Sequence, residues 1–220
     1  MCKFLYYVLL LNMDVRFELA NSLFVCGPSK AGKSHWVVKL IENRHLLFVQ
    51  PPAKIYWFYG TWQPQYASLK EKGVHMIDGV QESDIANIEN GSMVILDDLV
   101  SETENSKAVT ALFTKHVHHR DLFLVYITQN FYHQSKEARM RHLNSHYILF
   151  FKNPRDKTQP SMLARQMFPG RSSAAFAQMF ELATEKPHGY LLIDLRQNAP
   201  NDIRLRTNIF PDEYPSVVYK

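Results

Sequence analysis

Apolar residues gather in short continuous blocks along this chain, and between the blocks they recur at helical spacing. The blocks Ser22–Cys26, Lys54–Tyr59, Val74–Ile77, Met93–Leu96, Leu122–Thr128 and Tyr147–Phe151 are rich in β-branched and aromatic residues, which predicts strands. Lys33 to about Arg44 reads as a helix, because Trp36, Val37, Leu40 and Ile41 fall on one face. Further helices are expected at Tyr66–Lys72, Ser106–His118, Lys136–Leu143, Ser161–Phe168 and Ser173–Thr184. Tyr190–Asp194 and Ile203–Thr207 read as a terminal strand pair around a polar turn. Strands apolar on both faces, alternating with helices, predict a buried parallel sheet covered by helices on both sides.

One polar interruption carries chemistry. Gly27-Pro28-Ser29-Lys30-Ala31-Gly32-Lys33-Ser34 has the spacing G-x-x-x-x-G-K-[ST], between a predicted strand and a predicted helix. Glycines there let the backbone wrap around phosphate with its N–H groups inward, and the start of the helix adds partial positive charge. Lys33 is then expected to reach the β- and γ-phosphates of ATP, Ser34 to hold Mg²⁺ through its hydroxyl, and Lys30 to add charge beside the loop.

Met93-Val94-Ile95-Leu96 ends in Asp97-Asp98, at the carboxyl end of a buried strand, where parallel sheets open into a ligand crevice. Asp97 is the expected Mg²⁺ anchor, through water, and Asp98 the group that orients or activates the attacking water. Gln129 ends the next strand and is a candidate sensor of the γ-phosphate. A strand between the two motifs, with a second acid after the metal anchor, marks the additional-strand, RecA-like class of P-loop nucleoside triphosphatases. The expected fold is therefore α/β, with a mainly parallel central sheet and helices on both faces.

This order of phosphate loop, double acid and strand ending in Thr128-Gln129 is similar to the FtsK/HerA superfamily of DNA-pumping ATPases. More closely, it resembles the genome-packaging ATPases of large DNA viruses of the poxvirus type and of Polinton or Maverick elements. The resembling residues include Tyr59-Gly60-Thr61-Trp62-Gln63, Ile127-Thr128-Gln129-Asn130-Phe131 and Phe151-Lys152-Asn153-Pro154-Arg155-Asp156. They continue in Leu163-Ala164-Arg165-Gln166-Met167 and Gly189-Tyr190-Leu191-Leu192-Ile193-Asp194-Leu195. The resemblance implies an ATP-hydrolysing motor that moves double-stranded DNA into a capsid, working as a homo-oligomeric ring beside capsid or portal proteins. It also implies a trans-acting arginine from the neighbouring subunit. Candidates are Arg139, Arg141, Arg155, Arg165 and Arg171, with Arg139 and Arg155 first because they follow strands leaving the nucleotide edge. The chain departs from the pattern at Asp98, where many relatives carry Glu, and in Met1–Asn12, which has no counterpart.

Composition narrows the picture further. With 46% hydrophobic and 21% charged residues, the chain supports a packed core rather than disorder. The excess of 25 basic over 21 acidic residues, a net charge of +4, is mild and permits a nucleic-acid partner without demanding one. Lys136, Arg139, Arg141 and His142 form a basic helix face that suits either a DNA backbone or bare solvent. Two cysteines give no disulfide framework, so a reducing, intracellular setting is expected, and the resemblance implies the host cytoplasm or nucleus, or association with the virion; Cys26 reads as a small buried hydrophobe. The apolar run Phe4–Leu11 is too short to span a membrane and no small-residue cleavage site follows it. Residues 1–12 are accordingly expected to be a dispensable extension, a strand or a segment ahead of a start at Met13, before one domain at 13–220. Two other readings stay open: a P-loop nucleoside or nucleotide kinase with Arg139 and Arg141 as a lid, and a non-catalytic ATP-binding assembly factor.

Overall fold

A computed structural model describes residues 6–7, 14–99, 103, 106–132, 135–167, 172–213 and 217–219. These build an α/β fold around one mixed sheet. Its strands are β1 (Tyr6–Tyr7), β2 (Asn21–Cys26), β3 (Ile55–Tyr59), β4 (His75–Asp78), β5 (Met93–Asp97), β6 (Phe123–Thr128), β7 (Tyr147–Phe151), β8 (Tyr190–Asp194), β9 (Leu205–Thr207) and β10 (Val217–Tyr219). Their spatial order is β1-β10-β9-β8-β7-β2-β6-β5-β3-β4.

The six strands from β7 to β4 run parallel, whereas β8, β9, β10 and β1 are joined antiparallel. The expectation of a buried parallel sheet is thus corrected for one flank, and the connection after β7 gives the reason. A single crossover helix would return the chain to the opposite end of the sheet. Here two helices intervene, Thr158–Met167 and Ser172–Ala183, so β8 begins where β7 ends and Phe151 faces Tyr190. Tyr6–Tyr7, inside the segment expected to be an extension, pairs with Val217–Val218 at the sheet edge.

The central strands bury both faces, which is why they read as unbroken apolar runs. On one face Leu23, Val25, Trp57, Ile95 and Val125 pack against Trp36, Val37, Leu40 and Ile41 of helix α1 (Lys33–Glu42). On the other, Phe24, Phe58, Val94, Leu96 and Leu124 meet Val109, Leu112 and Phe113. Those three lie on a helix that runs Lys107–Ala111, passes through a π-helical turn at Leu112–His116 and ends at Val117–His119. The Ser106 hydroxyl caps it by accepting from the Val109 N–H at 3.2 Å.

Element ends differ from expectation by one to three residues, with clear causes. The helix expected from Ser161 starts at Thr158, because Pro160 fits a first turn and the Asp156 carboxylate accepts the Thr158 N–H at 2.8 Å. Ile203 belongs to a 3₁₀ turn rather than to β9. Short helices at Arg44–Leu47 and Glu82–Ala86, and strand β10, were not expected. Among the described residues no helix is long and apolar enough to cross a membrane.

Candidate functional site

The carboxyl ends of β2, β5 and β6 meet at one open cavity of about 370 Å³. Ser29, Lys30, Gly32, Lys33 and Ser34 line one side of it, and Asp97, Asp98, Thr128 and Gln129 the other. The phosphate-loop residues, both acids and Gln129 therefore share one space.

The loop has the backbone that anion binding requires. Lys30 and Gly32 take left-handed φ angles of 63° and 103°, which fold the chain around the loop interior. Gly27 is needed for space, since a Cβ there would lie 2.8 Å from Phe151 Cβ. Helix α1 starts at Lys33 with no acidic residue in its first turn and no side-chain cap from Gly32. Its opening N–H groups are thus left facing the loop.

Lys33 folds back over this loop. Its Nζ donates to the Gly27 and Pro28 carbonyls at 2.8 and 2.9 Å. Burial lowers its pKa, opposed by the charges of Asp97 and Asp98. Ser34 Oγ donates to Asp97 Oδ2 at 3.0 Å, a contact that joins the two sequence motifs. Tyr66 Oη donates to the same oxygen at 2.8 Å from a fully buried position. Burial raises the Asp97 carboxyl above the ordinary carboxylate range, and the Tyr66 and Ser34 donors partly offset this.

Asp98 sits in the left-handed region at φ 55° and stays exposed, so its backbone turns out of the strand and its carboxyl faces the cavity rim. Gly60 makes room for that turn. A Cβ at Gly60 would lie 2.8 Å from the Asp98 carbonyl oxygen.

A magnesium ion fits this donor set. Ser34 Oγ and Asp97 Oδ2 are hard oxygens 3.0 Å apart. Among the described residues no three His, Cys, Asp or Glu side chains converge as a metal cage. A cation here needs phosphate and water oxygens for the rest of its shell, which is how Mg²⁺ is usually held.

The sheet order relocates one feature. The segment expected between the motifs, now β3, lies outside β5; the strand standing between β2 and β5 is β6, which ends in Thr128 and Gln129. The Gly27 N–H donates to the Thr128 carbonyl at 3.3 Å, so this strand also anchors the loop.

The arginine candidates separate sharply. Arg141 is only 2% exposed; its Nη1 donates to the Thr103 carbonyl at 2.6 Å and its guanidinium lies over the Tyr126 ring. A group so buried serves neither as a finger, nor as part of a DNA-facing surface, nor as a lid over an acceptor. The expected basic face is reduced accordingly, because His142 is also half-buried, and of the four only Lys136 and Arg139 are exposed. Arg139, Arg155 and Arg165 are exposed, and none lines the cavity. Arg171 lies outside the described residues.

Sequence reasoning missed Tyr66, whose only sign was a tyrosine in a polar stretch after β3. It also missed His188, whose Nδ1 is 3.0 Å from the Ala31 carbonyl and, as N–H, donates to it. Several residues that carried the resemblance prove to be architectural. Asp194, fully buried, accepts from Arg196 at 2.9 Å and from Arg206 at 3.0 Å. Gly189 passes so near Ala183 that a Cβ would lie 2.7 Å from its carbonyl oxygen. Cys26 is buried, and burial pushes its thiol pKa up, which leaves it inert. Set against protein-family models and curated proteins, the chain matches none.

Proposed function

We propose that this chain is a Mg²⁺-dependent ATPase of the P-loop class, and that it works as a motor translocating double-stranded DNA within a homo-oligomeric ring. The observation that carries the ATPase reading is the 3.0 Å contact between Ser34 and Asp97, which joins phosphate loop and acidic strand end in one cavity. The DNA and ring parts rest on the sequence resemblance, and genome packaging into a capsid is the setting it suggests.

Catalysis in such a site is positioning and electrostatics. The loop N–H groups and the start of α1 receive phosphate oxygens. Lys33 exchanges two neutral carbonyl partners for charge-assisted bonds to the β- and γ-phosphates. Ser34 and Asp97 are the oxygens placed to hold magnesium, with Tyr66 keeping Asp97 in orientation. Bound magnesium supplies positive charge against the phosphoryl oxygens. Asp98 orients the attacking water from the cavity rim, and Gln129 offers a neutral hydrogen-bonding group beside it. An arginine from a neighbouring subunit, with Arg139 and Arg155 first among the exposed candidates, completes the charge balance.

The test is steady-state ATPase activity with and without double-stranded DNA, beside Lys33→Ala and Asp98→Asn. The expected result is DNA-stimulated turnover that both substitutions abolish. Turnover indifferent to DNA would overturn the motor reading, and turnover surviving both substitutions would overturn the site.

A further inference from the structure

A second cavity, of about 100 Å³, lies just beyond the carboxyl end of β7, the strand beside β2, and we propose that it receives the purine base of the nucleotide. This rests on the ATPase reading above.

The direction of the nucleotide follows from that site. Asp97, Asp98 and Gln129 stand on the β5–β6 side of β2. The γ-phosphate, where water attacks, belongs on that side. The α-phosphate and the nucleoside then leave the loop the opposite way, over β7 and β8. The second cavity lies there. Lys152 and Asn153 line it, in the two positions after Phe151, the residue that abuts Gly27 of the loop. Thr184 lines its far side, at the start of the turn that carries His188 back onto Ala31.

The lining pairs an apolar part, from Pro160, Phe176, Ala177 and Phe180, with polar and charged side chains, a combination that suits a heterocycle with ring nitrogens. Phe176 and Phe180 give aromatic surface from the helix Ser172–Ala183, and Pro160 gives a flat apolar wall from the facing helix. Asn153 Oδ1 is engaged by the Arg155 N–H at 3.1 Å, which fixes the amide and leaves its NH₂ group as a donor to a ring nitrogen. The Thr184 hydroxyl is committed to the Phe180 carbonyl at 2.7 Å and does not compete. Lys157 and Glu181, which also line the pocket, form an exposed ion pair at 3.3 Å. A planar ring with acceptor nitrogens fits the apolar part of this slot and the Asn153 NH₂ group.

The test compares equilibrium binding of Mg²⁺–ATP and Mg²⁺–tripolyphosphate, which carries the phosphate chain without nucleoside. The variants are Ala177→Phe, which fills the slot from an exposed position on its helix, and Asn153→Ala. In the unaltered protein ATP is expected to bind about tenfold or more tighter than tripolyphosphate, the scale of one stacked base. Ala177→Phe is expected to remove most of that difference while leaving tripolyphosphate affinity unchanged, which also reports that the variant is folded. Asn153→Ala removes a smaller part. Equal affinity for the two ligands in the unaltered protein, or equal weakening of both or neither by Ala177→Phe, would overturn the pocket. If the unaltered protein binds neither ligand, the phosphate-loop reading falls first and takes the pocket with it.

Discussion

Tyr66→Phe removes one oxygen and keeps the ring, so it isolates the bond to Asp97. The packing of that ring against Trp57 and Tyr59, at 5.4 and 5.5 Å between centroids, is retained. What is lost is a buried donor 2.8 Å from a carboxylate that is itself 3% exposed. A hydrogen bond to a charged group contributes about 1.5–3 kcal/mol and a neutral one about 0.5–1.5 kcal/mol. Burial holds the Asp97 pKa above its ordinary value, and loss of the tyrosine donor raises it further. A carboxyl with a raised folded pKa binds its proton more tightly in the folded state, so its ionisation weakens the fold. That penalty is full above the folded pKa and fades as pH falls through it. The substitution should therefore cost about 1.5–3 kcal/mol where Asp97 is ionised and about 0.5–1.5 kcal/mol where it is protonated. Urea unfolding of both proteins across a pH series reads this directly. A loss of the same size at every pH, or none, would show that the tyrosine hydroxyl does not serve an ionised Asp97.

Two further substitutions probe residues that look like sequence markers. Asp194→Ala leaves Arg196 and Arg206 without their shared buried counter-charge and should destabilise the fold by about 3–5 kcal/mol, read from the urea midpoint. Gly60→Ala drives a Cβ toward the Asp98 carbonyl oxygen, 2.8 Å away, and should cost about 1–3 kcal/mol. Because the strain falls on the Asp98 backbone, kcat for ATP should drop more than nucleotide affinity does; an equal drop in both would count against Asp98 as the water-orienting group.

The phosphate loop and the acid pair were legible because each is contiguous and each sits at the end of an apolar run. Their meeting was inferable only from the rule that buried parallel strands open at their carboxyl ends, and the Ser34–Asp97 contact agrees with it. Tyr66 was not legible, since nothing in its neighbourhood in sequence reveals that it points at a residue 31 positions away. Arg141 misled for a related reason. A basic helix read from Lys136, Arg139, Arg141 and His142 says nothing of which side is buried, and the carbonyl of Thr103 decided it. The antiparallel flank was hidden because the apolar run of β8 has no direction written in it. Its direction comes from the number of helices that precede it.

The position of β2 in the sheet has a consequence for synthesis. This strand is made before both its neighbours, β6 and β7, which follow on the order of a hundred residues later. A growing chain thus carries an apolar strand with both edges unpaired until those residues are made, the kind of exposed segment that chaperones bind. The Gly27 N–H also waits for the Thr128 carbonyl, and Ser34 for Asp97. The proposed nucleotide site therefore cannot be assembled from the residues around β2 alone. It requires β6 in place between β2 and β5, so nucleotide present during refolding is expected to act on a late step of assembly rather than the first.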